Sequence, residues 1–252
     1  KVRISSSGNV TTAGDKAYGV LGQSIGGGGG ESGMTINALL NATSEAPSPG
    51  EGDPDVLMIS VGGDGGKGAA ADSVDTTNSG VITTSGERSV GLLAQSIGGT
   101  GGNASAVLTG SFNVKKQTSF ELGVGGKGGT GGTAQAVTVA NQGASAAIQT
   151  AGNHAHGIYA LSLGGGGGQG GSAYNLDLNP KATENDATHL QGTFAIGGKG
   201  GQGGAAASVN VTNEGTISTS GAGAHGIIAQ SIGGGGGNGG MAFAGNVQLG
   251  SS

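Results

Sequence analysis

The chain has 252 residues, 62 of them glycine, with no cysteine or tryptophan, 3% aromatic residues and a formal net charge of −5. So few large side chains argue against a thick globular core. The missing cysteines exclude disulfides and thiolate metal sites, and the mild acidity leaves no basic patch for nucleic acid.

From the N-terminus, Val2–Ile4 and Asn9–Thr12 read as short strands and Val20–Ile25 as a third, running into glycine. That last unit, GVLGQSIGGGGGESG from Gly19, returns as GLLAQSIGGTGGNAS from Gly91, GIYALSLGGGGGQGG from Gly157 and GIIAQSIGGGGGNGG from Gly226. Its glycines open at Gly26, Gly98, Gly164 and Gly233. A second tract reads VGGDGGKGA from Val61, VGGKGGTGG from Val124 and IGGKGGQGG from Ile196. A long period of this kind marks a repeat architecture.

Both tracts keep a phase of three, the period of the polyproline II helix. This predicts ordered helices with paired glycines, such as Gly200 and Gly201, against neighbouring backbone. The intervening Lys127, Thr130, Lys199 and Gln202 would face water. A flexible linker has no reason to hold that phase.

Each tract that follows a QSI or LSL strand leads into an excursion. The arms are Met34–Leu40 with Val56–Ser60, Ala104–Val114 with Ser119–Leu122, and Ala173–Leu178 with Leu190–Ala195, a hairpin-like pattern. The tips differ between repeats and carry Glu51 and Asp53, Lys115 and Lys116, and Glu184 and Asp186. Variable tips on a constant scaffold are candidate ligand contacts.

Between the second tract and the next QSI strand, three strand-like stretches joined by Asn/Gly turns fit one coil of a three-sided β-helix. Asn78, Asn141 and Asn213 stand where left-handed corners are expected, or where a side-chain ladder can form. Ile227, with Val20, Leu92 and Ile158, is expected to face the lumen, and Ile25, Ile97, Leu163 and Ile232 to point the other way and be covered. Ser24, Ser96, Ser162 and Ser231 recur without a positioned base and read as structural.

The expected fold is therefore all-β: an elongated parallel β-helix solenoid with glycine-rich polyproline II type segments and protruding hairpins. It forms one domain over 1–252, with a partial repeat 1–60 and repeats 61–123, 124–195 and 196–252. The chain starts and stops inside repeats and reads as a fragment of a longer protein.

Val209–Gly240, VNVTNEGTISTSGAGAHGIIAQSIGGGGGNGG, echoed at Val74–Gly102 and more loosely at Val137–Gly171, resembles the passenger region of bacterial autotransporter (type V secreted) surface proteins. The resemblance implies coils of a right-handed parallel β-helix, displayed outside the outer membrane by a C-terminal barrel. No barrel segment of alternating, aromatic-ended strands occurs in this sequence.

The chemistry-bearing residues are sparse. His154 and His156 sit on one strand face and His225 recurs at the position of His156, but Tyr18 and Val90 fill that slot elsewhere. The triplet Gly62–Lys67 has Lys where a calcium β-roll needs Asp. No helix follows the glycines, as a phosphate cradle requires. Paired carboxylates with aromatic platforms for sugar cleavage are also missing.

No enzyme activity, cofactor or metal is expected. The expected function is a structural or adhesive segment of a secreted bacterial surface fibre. Its partners would be neighbouring repeats, other fibre subunits, or a host or cell-surface glycan or protein. The alternative is a module binding glycan or ice, through the excursions or through a ladder of Thr12, Thr84, Thr150 and Thr219.

Overall fold

In the computed structural model, residues 1–41, 55–113, 118–179 and 191–248 are described. They contain 19 β-strands and no α-helix. Among the described residues, no helix is long and apolar enough to cross a membrane.

The first coil contributes β1 (Val2–Ser6), β2 (Val10–Thr12), β3 (Val20–Ile25), β4 (Thr35–Asn41) and β5 (Val56–Val61). The second gives β6 (Val74–Asn78), β7 (Val81–Thr84), β8 (Leu92–Ile97), β9 (Val107–Asn113) and β10 (Ser119–Val124). The third gives β11 (Val137–Asn141), β12 (Ala147–Thr150), β13 (Ile158–Leu163), β14 (Ala173–Asn179) and β15 (Gln191–Ile196). The fourth gives β16 (Val209–Asn213), β17 (Thr216–Thr219), β18 (Ile227–Ile232) and β19 (Ala242–Gln248).

Like strands stack in parallel into five sheets, A to E in the order of the first coil. Stacked positions lie 63 to 72 residues apart: Val2 pairs with Val74 and Ser119 with Gln191 across 72, Ile158 with Ile227 across 69, Leu92 with Ile158 across 66, and Val56 with Ser119 and Val74 with Val137 across 63. One coil is thus the whole repeat, not the three-strand stretch alone. The chain leaves the three-sided part after its third strand, runs out along one glycine tract, turns through two more strands, and returns along the other tract.

Sheets A, B and C surround one apolar core. Val74, Val137 and Val139 come from A, Ile82 and Ile148 from B, and Leu92, Ala94, Ile158 and Ala160 from C. Alternation along each strand places these residues inward, and parallel register stacks like on like. Ile227 continues the Leu92 and Ile158 column but is 45% exposed, because no coil covers it. Of the set expected to be covered by the glycine tracts or an excursion, Ile25 and Ile232 in the end coils are exposed, while Ile97 and Leu163 in the middle coils are half-buried.

The corners differ from the Asn expectation. Positive φ falls on Lys16 (56°), Arg88 (54°), His154 (54°), Gly143 (113°) and Gly223 (67°). The asparagines instead form the ladder. Asn78 Nδ2 donates to Asn141 Oδ1 at 2.8 Å, and Asn141 Nδ2 to Asn213 Oδ1 at 2.7 Å.

Candidate functional site

The glycine tracts form a bridge of two layers. One layer holds residues 26–33, 98–105, 164–171 and 233–240, and the other 62–70, 125–133 and 197–205. The hydrogen bonds keep the phase of three. The first glycine of a triplet donates within its layer, to the carbonyl of the non-paired slot one coil on: Gly101 to Gly166, Gly128 to Lys199, Gly167 to Gly235. The second glycine donates across the layers, which makes a continuous zigzag along the solenoid. Gly237 donates to Gly201, Gly201 to Gly168, Gly168 to Gly129, Gly129 to Gly102, Gly102 to Gly66 and Gly66 to Gly30, at 2.8–2.9 Å.

A Cβ on Gly200 would land on the Gly237 carbonyl oxygen, and one on Gly201 on that of Gly129. Gly26, Gly98 and Gly164 are as tightly enclosed, by the carbonyls of Ala69, Gly132 and Gly204; Gly233, in the last coil, is open. Lys127, Lys199 and Gln202 are exposed, whereas Thr130, expected in full contact with water, is half-buried. Gly201 is buried and Gly200 half-buried.

Beyond the bridge, the excursion arms do not pair with each other as in a hairpin. The arms before the tips stack as sheet D (β4, β9, β14, β19) and those after them as sheet E (β5, β10, β15). The two sheets face one another as a fin. The tip residues Glu51, Asp53, Lys115, Lys116, Glu184 and Asp186 lie outside the described residues.

The fin is inverted relative to an ordinary β-sandwich. Its interior is polar: Thr109, Ser111, Asn113, Ser119, Glu121, Asn175 and Asp177 are all buried. Asn37 Nδ2 donates to Ser60 Oγ at 2.6 Å, and Asp177 accepts from Ser111 at 2.8 Å and from Ser119 at 2.9 Å.

Its outer faces are apolar. On sheet D, Ile36, Leu40, Leu108, Phe112, Leu176 and Phe243 are exposed, and on sheet E Leu57, Ile59, Phe120, Phe194 and Ile196. On sheet D the small residues Ala38 and Gly110 make the floor of a groove of about 400 Å³ between ridges that include Leu108 and Phe112. The sequence carried this signal as alternation, since every second residue of each arm is apolar, but alternation alone does not say which face turns inward.

The other residues singled out fall into place as structure. Ser96 Oγ donates to Asp72 O at 3.0 Å and accepts from Gln135 N at 2.9 Å; Ser162 bridges Gln135 and Ala207 the same way, and Ser231 donates to Ala207 O at 2.8 Å. These serines staple sheet C to the chain returning from the bridge. Thr12, Thr84 and Thr150 donate to carbonyls five residues on, and Thr84 and Thr150 are buried. That column therefore offers no threonine array to ice.

His156 and His225 stack at 5.2 Å, and the backbone N–H of His225 donates to His156 Nδ1 at 3.1 Å. Partial burial, then the neighbouring His225 and His154, hold the His156 imidazole below its usual value. Among the described residues, no three His, Cys, Asp or Glu side chains gather around one point. His154 and His156 line a groove of about 450 Å³ with Tyr18, Arg88, Gln95 and Tyr159, a combination hidden in the sequence because its members come from three coils.

No protein-family model matches the chain, and no curated protein does. Among solved structures, the nine polyproline type II helical bundle springtail antifreeze protein from Granisotoma rainieri aligns over 75% of this chain and 94% of its own, at 17% identity with a TM-score of 0.14. Overlap that slight transfers neither fold nor function.

Proposed function

We propose that the chain is an adhesive segment of a secreted bacterial surface fibre, displayed outside the outer membrane, with no catalytic role. The observation that carries this reading is the inverted fin. Parallel strands stack at about 4.8 Å, so each coil of 63 to 72 residues adds only that much length. A protein selected for reach would spend far fewer residues per step. The extra residues of each coil build a lateral blade with apolar faces running along the axis, and contiguous exposed apolar surface marks contact sites.

Other fibre subunits, second copies of this chain among them, are the partners that use this face along its full length. The resemblance of the repeats to autotransporter passengers and the absence of cysteine support this reading of the location.

The test is display of the chain on a bacterial cell, with and without Leu108→Ser, Phe112→Ser and Leu176→Ser together. Loss of most cell–cell clumping and adherence, with an unchanged melting temperature, supports the proposal; full adherence by the triple variant overturns it. A second reading, glycan binding, is favoured by the groove of Tyr18, Tyr159, His156 and Arg88, which joins aromatic platforms to polar tips. A glycan array probed with the chain and with Tyr159→Ala decides it.

A further inference from the structure

The fin interior holds two carboxylates, and among the described residues no cationic side chain faces them. Glu121 and Asp177 are both fully buried. The remaining inward positions of the fin strands carry Ser, Thr, Asn, Gln, Gly, Ala, Val, Leu or Met, and no Lys, Arg or His. Burying charge without a partner is strongly unfavourable.

Asp177 has some support, from the hydroxyls of Ser111 and Ser119. Glu121 has almost none. Neither of its carboxyl oxygens has a hydrogen-bonding partner, and the nearby Ser111 hydroxyl already donates to Asp177. Burial, together with the neighbouring Asp177 charge, pushes the Glu121 carboxyl above the usual carboxylate range, with Ser111 only a partial offset.

The other unpartnered oxygens of the fin lie on neighbouring inward positions, with Asn175 Oδ1 set over Gly123, two residues beyond Glu121. Thr193, the in-register neighbour of Glu121, has a bare Oγ1. Across the sandwich, Asn175 and its in-register neighbour Thr109 are buried with Oδ1 and Oγ1 unpartnered. Asn175 donates its own Nδ2 to Phe194 O on sheet E at 2.5 Å, so its amide already spans the sandwich. The two Glu121 oxygens, three further orphaned oxygens and the Asp177 carboxylate thus occupy neighbouring inward positions of the two sheets, with the Met58 thioether on the other side of Glu121.

We propose that these inward oxygens form a binding site for a hard divalent cation of calcium size, held by Glu121 and Asp177 with neutral oxygens from Thr109, Ser111, Asn175 and Thr193. The chemistry selects the class. All-oxygen donor sets suit calcium, which accepts six to eight oxygens in irregular arrangements and tolerates neutral ligands beside carboxylates. A charge of +2 balances the two carboxylates. The site joins β9, β10, β14 and β15, so the cation would tie sheet D to sheet E. Neither the histidines nor the glycine triplets take part.

The experiment uses the whole chain, stripped with EDTA and dialysed, then titrated with CaCl2 by calorimetry and melted with and without calcium. One saturable calcium per chain is expected. At calcium about 100-fold above its dissociation constant, a chain of this length should gain about 5–10 °C in melting temperature. Glu121→Gln and Asp177→Asn should each abolish uptake, and the exposed-site control Glu214→Gln should keep it. No saturable uptake by the wild-type chain, or a melting temperature indifferent to calcium, overturns the proposal whether or not the variants fold. So does calcium binding that survives both Glu121→Gln and Asp177→Asn, which would place the ion elsewhere.

Discussion

The prism of sheets A to C and the fin of sheets D and E come from one chain, stack at the same spacing and share parallel register, yet they are turned opposite ways. In the prism the inward positions carry Val, Ile and Leu, as at Ile82, Leu92, Ile148 and Ile158, all fully buried. In the fin most buried inward positions carry Thr, Ser, Asn, Asp or Glu, with Val107 and Ala173 as apolar exceptions, while Phe112 and Phe194 are exposed. Both are stable choices for a stacked strand because backbone pairing is satisfied in either case. The difference lies in what holds the two wings together. The prism is held by apolar burial at about 25 cal/mol per Å². The fin depends on buried polar contacts, whose net worth is only about 0.5–1.5 kcal/mol each. Rigidity must reach the fin through the glycine bridge.

The bridge is therefore where the comparison is easiest to break. Gly200→Ala with Gly201→Ala places two methyls on backbone carbonyls that cannot move without shifting a tract. The pair should cost about 2–6 kcal/mol, read as a lowered melting temperature with loss of fin protection in hydrogen exchange. Gly30→Ala, whose Cβ would meet nothing within 4 Å, should be neutral or slightly stabilising. Equal behaviour of the two would mean that the tracts are linkers.

Next in size is the contrast between inward and outward apolar residues. Leu92→Ala should cost about 2–5 kcal/mol, whereas Phe112→Ala, at an exposed position, should stay within about 0.5 kcal/mol. Chemical denaturation of both variants checks this.

A smaller effect separates the wings by pH. The Glu121 carboxyl is raised in the folded chain, so without calcium the folded state holds its proton more tightly than the unfolded state. Stability should then fall as pH rises from the ordinary carboxylate value through the raised one, and level off above it. Glu121→Gln should flatten that slope, as followed by thermal melts in EDTA.

The smallest effect belongs to the prism surface. The His156 imidazole is lowered, so a little stability should be lost as pH drops below its ordinary value of 6.5, and His156→Ala should remove that loss.

Much of this was legible in the residues. The GIxAQSI strands announce a stacked column, and the phase of three in the tracts announces the bridge down to which glycines are enclosed. The asparagine column was legible only as one of two alternatives, because a turn and a ladder ask for the same residue. Two features were hidden for a physical reason. An arm such as LTGSFN or YNLDLN alternates perfectly, but alternation is symmetric between the two faces, and only the partner sheet decides which is buried. The meeting of Glu121 with Asp177 was equally hidden, since parallel stacking brings together residues from different coils and different sheets.

The length of one coil also governs how such a chain can come to be folded. A strand in the first coil waits for its neighbour until residue 74 is available, and no hydrogen bond between coils spans fewer than about sixty residues of closure for any of the five sheets. Loops that long must be closed before any sheet repays the entropy, which makes nucleation slow. Once two coils are in place, the exposed edge presents five strands and two glycine tracts, all in register, to whatever chain arrives next. Growth from that edge is templated and runs in one direction, so a chain emerging end-first would add coils as they appear.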